Sequence, residues 1–190
     1  MAFYRSEYIE EDFRGASLRE ERMKECTFIR CRFAGADLSE SITERCHFSM
    51  CDFNGAMLNA SDHRNSAFLN CLFESARLFA ARFEECKMTG SLFEKSNFDG
   101  VTIKGGDWSF TNLRFVHWKR QELQGVRFVE ADFYEANLEK ADLRRADLTG
   151  AILAKAKLAH ADLRGARVDR VDFRTIDLKN VMIDVPKRSP

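Results

Sequence analysis

Ala141-Asp142-Leu143-Arg144-Arg145, Ala146-Asp147-Leu148-Thr149-Gly150 and Ala161-Asp162-Leu163-Arg164-Gly165 are copies of one five-residue unit. Each copy runs small, polar, large apolar, then two polar or turn residues. The unit extends in both directions without a slip. Stepping by five from Phe3 to Ile183 visits 37 positions, of which 35 are large and apolar; Thr43 and His63 are the exceptions. Fourteen of the 17 Phe and both Trp occupy this register. The residue two before each centre is mostly Ala, Cys, Ser or Val, and all six cysteines fall there. Nine of the ten glycines stand two after a centre, where a turn needs permissive dihedrals. Neither an α-helix nor a simple strand has a period of five.

A second spacing gives the number of sides. Phe13, Phe33, Phe53, Phe73 and Phe93 are 20 apart, as are Leu18, Leu38, Leu58 and Leu78, and as are Thr43 and His63. Like residues every 20 positions imply four sides per coil, each side stacked on the same side of the next coil. The expected fold is all-β: a quadrilateral parallel β-helix of about nine coils, roughly 45 Å long at one strand spacing per coil. It forms a single domain over residues 1–185, with a short tail at 186–190.

Composition excludes other classes. No stretch approaches 18 consecutive apolar residues, so no membrane-spanning helix is expected. The first residues lack a basic region followed by an apolar core, which points to a cytoplasmic protein. Lys+Arg and Asp+Glu both number 30, which argues against direct nucleic-acid binding. No phosphate-binding glycine loop and no convergent nucleophile is present. The chain therefore reads as a non-enzyme with no cofactor or metal. Cys26, Cys31, Cys46, Cys51, Cys71 and Cys86 replace the Ala of later repeats and read as buried free thiols rather than disulfides or ligands. His63, beside Asp62, reads as a hydrogen-bonded core residue next to Thr43, with an acid–base group as the other reading.

This sequence resembles the pentapeptide-repeat family, on the units quoted above. The resemblance implies a right-handed quadrilateral β-helix. Within that family it looks most like the Qnr- and MfpA-type branch. The residues that carry this are His63-Arg64-Asn65-Ser66-Ala67-Phe68, Cys86-Lys87-Met88-Thr89-Gly90-Ser91-Leu92-Phe93, and repeats with no interrupting loop. That branch binds bacterial type II topoisomerases and protects them from quinolones or peptide poisons. The resemblance thus implies DNA gyrase or topoisomerase IV as partner, through mimicry of duplex DNA. A mimic needs carboxylates, and the candidate acidic patch is Glu7, Glu10, Glu11, Asp12, Glu20, Glu21 and Glu25. No whole face is acidic; residues 1–100 sum to −4 and residues 101–190 to +4. The alternative is a stiff scaffold for some other protein.

Two departures from the repeat mark candidate surfaces. Around residues 101–125 the consensus weakens and Gly106 takes a small inward slot. Outward Met50, Leu69, Leu72, Phe79, Leu92, Phe110 and Phe115 form the candidate partner surface. The reading set against it is a wider or kinked coil with locally packed aromatics. At the C-terminus, Met182 and Val185 are apolar where the pattern expects polar residues, and Pro186 stops strand pairing. Ile176, Val181, Met182, Ile183 and Val185 are the candidate homodimer interface.

Overall fold

A five-residue side must turn the chain at each corner, and the backbone does so with one left-handed residue. A computed structural model of the chain describes residues 3–184. In it, every fifth residue from Arg5 to Asn180 has positive φ except Thr175. Nine of these corners are glycine. The rest carry side chains, for example Glu10 (φ 57), Met50 (φ 53) and Arg145 (φ 58). A left-handed L-residue costs roughly 1–2 kcal/mol, so glycine is the easy choice but not an obligatory one. Among the described residues no Val, Ile or Thr adopts this conformation, in keeping with branching at Cβ, and Thr175 is the corner that departs.

Between corners, three residues remain extended. The described strands are β1 (Phe3–Tyr4), β2 (Glu7–Ile9), β3 (Arg22–Lys24), β4 (Thr27–Ile29), β5 (Ile42–Glu44), β6 (His47–Ser49), β7 (Asp62–Arg64), β8 (Ala67–Leu69), β9 (Arg82–Glu84) and β10 (Thr102–Lys104). They form two parallel sheets, β1-β3-β5-β7-β9-β10 and β2-β4-β6-β8. Every pairing steps by 20 residues: Phe3 faces Met23, Thr43 faces His63, and Phe28 faces Phe48. The other two sides keep the same step through single bridges such as Asp12–Arg32 and Ser17–Asp37. Regular strands thus make five successive pairings in the longer sheet, fewer than the nine coils expected from the sequence. Beyond Lys104 the rod continues as isolated bridges of the same spacing, the last joining Asp162 to Met182. No backbone bond joins residues 93–105 to 113–125, or 152–160 to 171–180.

The interior is four columns of side chains. Tyr8, Phe28, Phe48 and Phe68 stack with ring centroids 4.9, 4.6 and 4.6 Å apart. Phe13, Phe33, Phe53, Phe73 and Phe93 stack at 4.8, 4.8, 4.9 and 4.8 Å. Neighbouring columns meet edge-to-face, as Phe28 meets Phe33 at 70°. Strand spacing sets the ring spacing, so each column inherits its order from the backbone.

His63 breaks one column without leaving a void. Its ring lies on Phe83 at 4.9 Å. Ser61 Oγ donates to Leu58 O at 2.7 Å, so it accepts from His63 Nε2 at 2.8 Å. Nδ1 then accepts from Thr43 Oγ1 at 2.8 Å. This neutral tautomer is satisfied on both nitrogens. Asp62 turns outward to Arg64, at 2.6 Å, so no acid–base pair is assembled. Burial pushes the His63 imidazole down to about 4 from its ordinary 6.5.

Gly106 is held by close approach rather than by its turn alone. Its φ is +87, and a Cβ there would meet Cys86 O at 2.2 Å and Cys86 N at 2.9 Å. Gly125 has nothing within 4 Å of the same point. Gly106→Ala should lower stability by about 2–4 kcal/mol in urea unfolding, and Gly125→Ala by only about 1. His63 yields a pH test. Its folded pKa lies below the unfolded value, so the unfolded chain takes the proton first as pH falls. The resulting stability is fully present above about pH 6.5, falls toward pH 4 and levels off below it, a loss of about 3 kcal/mol. His63→Phe, which extends the Phe83 stack, should remove that component when urea midpoints are compared across this range.

Candidate functional site

The 20-residue step turns sequence spacing into surface neighbourhood. Residues at positions 9, 10 and 12 of each coil surround one corner. Met50 N–H donates to Leu69 O at 2.9 Å, and Leu72 is bridged to both Asp52 and Leu92. Phe110 stands at the same corner three coils after Met50. Five of the seven expected contact residues therefore share one edge, with Leu69 half-buried and Met50, Leu72, Leu92 and Phe110 exposed. The same edge also carries exposed Ile9 and Ile152, and half-buried Ile29 and Val129. These were legible as outward apolar residues a multiple of 20 from Leu69, Leu72 or Leu92.

The other two residues go elsewhere. Phe115 is on the next corner, where its ring meets Tyr134 edge-on at 5.8 Å. The Arg114 guanidinium covers both rings, and Lys155 Nζ donates to Tyr134 Oη at 2.7 Å. Phe79 lies on the corner opposite the apolar edge; its carbonyl accepts from Ala60 N–H at 2.8 Å. The seven do not make one surface, because adjacency on a coil is decided by corner and not by nearness in sequence.

The candidate acidic patch is largely neutralised. Glu10 pairs with Arg30, Asp12 with Arg14 and Arg32, Glu20 with Arg19, and Glu25 with Arg5 and Arg45. Paired guanidinium groups hold Glu25 down to about 2 and Asp12 lower still. Glu7, Glu11 and Glu21 complete the patch on the same first coils. An arginine beside most carboxylates gives a mixed surface rather than a phosphate-like array.

The C-terminal end is apolar and open. Leu163, Ala166, Val168, Phe173, Leu178, Val181 and Ile183 line a recess of about 270 Å³. Ile176 and Val181 pack partly against the core, while Met182 and Ile183 are exposed. Val185 and the tail 186–190 lie outside the described residues.

The cysteines pack as small core residues. All six are free and buried. Their thiols point weakly to carbonyls, as Cys51 Sγ does to Phe28 O at 3.4 Å. Burial pushes Cys46 up to about 11, Cys86 up to about 12 and Cys71 higher, so these three stay protonated near neutral pH.

The rod was compared with known proteins. Full-length QnrB1, a plasmid-mediated fluoroquinolone resistance protein, superimposes with a TM-score of 0.87 at 22% identity, covering 95% of this chain and 92% of that one. A trypsin-treated form of QnrB1 matches at 0.86 and 23%, covering 95% and 91%. HetL, involved in heterocyst differentiation regulation in the cyanobacterium Nostoc sp. strain PCC 7120, matches at 0.65 and 19%, covering 98% and 92%. At these identities the likeness is one of fold. No curated protein sequence matches the chain. The family model described as pentapeptide repeats matches in eight copies, over residues 12–42, 76–107, 109–150 and 141–180. With most of the sequence inside those matches and a four-sided parallel coil built on their spacing, the chain belongs to the pentapeptide-repeat family.

Proposed function

We propose that this protein is a non-enzymatic, cytoplasmic binding protein that docks on a bacterial type II topoisomerase, DNA gyrase or topoisomerase IV, and protects it from quinolone-like or peptide poisons. The observation that carries this is the end-to-end likeness of the rod to QnrB1, itself a fluoroquinolone resistance protein. The exposed surface supports a modification of the mimicry expected from the sequence. Many carboxylates are paired with arginine or lysine, so we assign the contact to the apolar edge through Leu72, Leu92 and Phe110. Desolvated apolar anchors of this kind dominate binding energy in many interfaces. A general scaffold role is the second reading, favoured by the likeness to HetL, a protein involved in heterocyst differentiation regulation, and by the balanced charge. We further propose a homodimer formed end to end through the apolar C-terminal recess.

Gyrase supercoiling and drug-trapped cleavage, measured with a fluoroquinolone, separate the two readings. Stoichiometric protein should relieve trapped cleavage, and Leu72→Glu with Leu92→Glu should weaken that effect about tenfold, or about 1.4 kcal/mol. No effect of the wild-type rod on either topoisomerase would leave the scaffold reading. The wild-type protein should sediment as a dimer, and Leu178→Asp with Ile183→Asp as a monomer. A monomeric wild type would exclude the dimer and leave the topoisomerase reading standing.

A further inference from the structure

In most of the rod, each side is tied to the side stacked on it, the step from 152–160 to 171–180 being the other exception. Gly55, Leu58, Ala60 and Asn65 N–H donate to the carbonyls of Glu74, Arg77, Phe79 and Glu84 at 2.7–2.9 Å. Two coils later the equivalent donors are Lys95, Phe98, Gly100 and Gly105, and the equivalent acceptors are Arg114, His117, Lys119 and Gln124. None of these pairs forms. The bridges expected between Asn97 and His117, and between Thr102 and Glu122, are also missing. Across two of the four sides, each lip of the break presents both kinds of backbone group: those four N–H groups with the carbonyls of Ser96 and Val101 on one lip, and those four carbonyls with the N–H groups of His117 and Glu122 on the other. One side-chain strap crosses it: Gln121 Nε2 donates to Val101 O at 2.7 Å, where a backbone amide bonds in other coils.

Here the cause lies in the core, unlike the tryptophan-free break between 152–160 and 171–180. The column Leu18, Leu38, Leu58, Leu78 continues as Phe98 and Trp118. Trp118 stands edge-on to Phe98 at 5.4 Å and 86°, and edge-on to Trp108 at 6.1 Å and 83°. Flat rings on other columns fit a step of 4.6–4.9 Å. An upright indole does not, and it wedges the coils apart. Both indoles are buried, and neither Nε1 has a partner. Clefts of about 500 Å³ and about 250 Å³ open on the two sides, the first lined by Lys104, Arg120 and Glu122, the second by Lys95, Asp99 and His117. The remaining two sides stay laced, through Lys87–Asp107–Arg127 and Leu92–Asn112–Asp132, and hold the two halves of the rod together.

We propose that this break is a docking cleft for the main chain of an extended peptide segment of a partner protein, which adds as a strand between the two coils. Donors and acceptors alternate along each lip, as they do along both edges of an extended backbone. Lining charges of both signs do not select a simple anion or cation. A second copy of this chain offers no long extended segment among its described residues, since a turn recurs every fifth residue along its coils. The proposal stands independently of any topoisomerase.

Hydrogen exchange and peptide display test it on the full chain. In the free protein the amides of Phe98, Gly100 and Gly105 should exchange far faster than those of Leu58, Ala60 and Asn65; equal protection would overturn the proposal. Random peptides displayed on phage and panned on the wild type should include binders that protect residues 95–105 from exchange. Trp118→Leu, which restores the leucine column and closes the lips, should weaken them about tenfold or more. Gln121→Ala, which removes the strap and keeps the wedge, should bind them more tightly. Absence of such binders, protection elsewhere on the rod, or weaker binding by Gln121→Ala would each reject the cleft.

Discussion

Each coil of this rod is templated by its neighbours through parallel backbone hydrogen bonds at a step of 20 residues. Phe53 N–H to Leu72 O at 2.7 Å and Asp52 N–H to Cys31 O at 3.0 Å are one instance of a bond repeated along most of its length. Left-handed corners are tolerated because bonds on both flanking sides over-determine them. Phenylalanine rings stack because the backbone places them one strand spacing apart. Side-chain ion pairs follow the same step: Arg5 and Arg45 close on Glu25 from opposite coils, and Arg30 closes on Glu10. Stability in such a rod is nearest-neighbour in character, so a local defect stays local.

That locality gives the departures their meaning. The His63 site absorbs three polar groups into the core by pairing each of them, and the coil there keeps its strands. The Trp108–Trp118 site cannot be absorbed in this way. Its indoles are too large for the layer and their N–H groups are unmatched, so the mismatch passes to the backbone as a break on two sides. Polar substitution changed the chemistry of a column. Bulk changed the geometry of the rod.

The surface shows how much of a candidate site is readable from a repeat. Leu72 and Leu92 stack as their spacing of 20 requires, and the same arithmetic collects Met50, Leu69 and Phe110. Phe79 and Phe115 are as apolar and as exposed, but they belong to other corners. The acidic residues near the first coils read as a patch while their arginine partners, 20 residues away or two along the chain, go uncounted. Charge counted along a chain says little about potential on a surface where opposite signs meet across coils.

Sequence alone determined the coil, its four sides, the identity of the core columns and the buried state of the thiols. It could do so because a period of five with an overtone of 20 leaves a single arrangement that buries every centre. It marked residues 101–125 as a weakened, wider or kinked stretch, where one break falls, but not the form of the failure. The register passes through Trp118 unbroken, and only the packed core shows that an upright indole exceeds a layer of 4.6–4.9 Å. The left-handed state of Glu10 or Arg145 was likewise hidden, because it is imposed by coils above and below and not by the residue itself. Periodicity fixes which residues point inward; close packing decides whether the coils that carry them can touch.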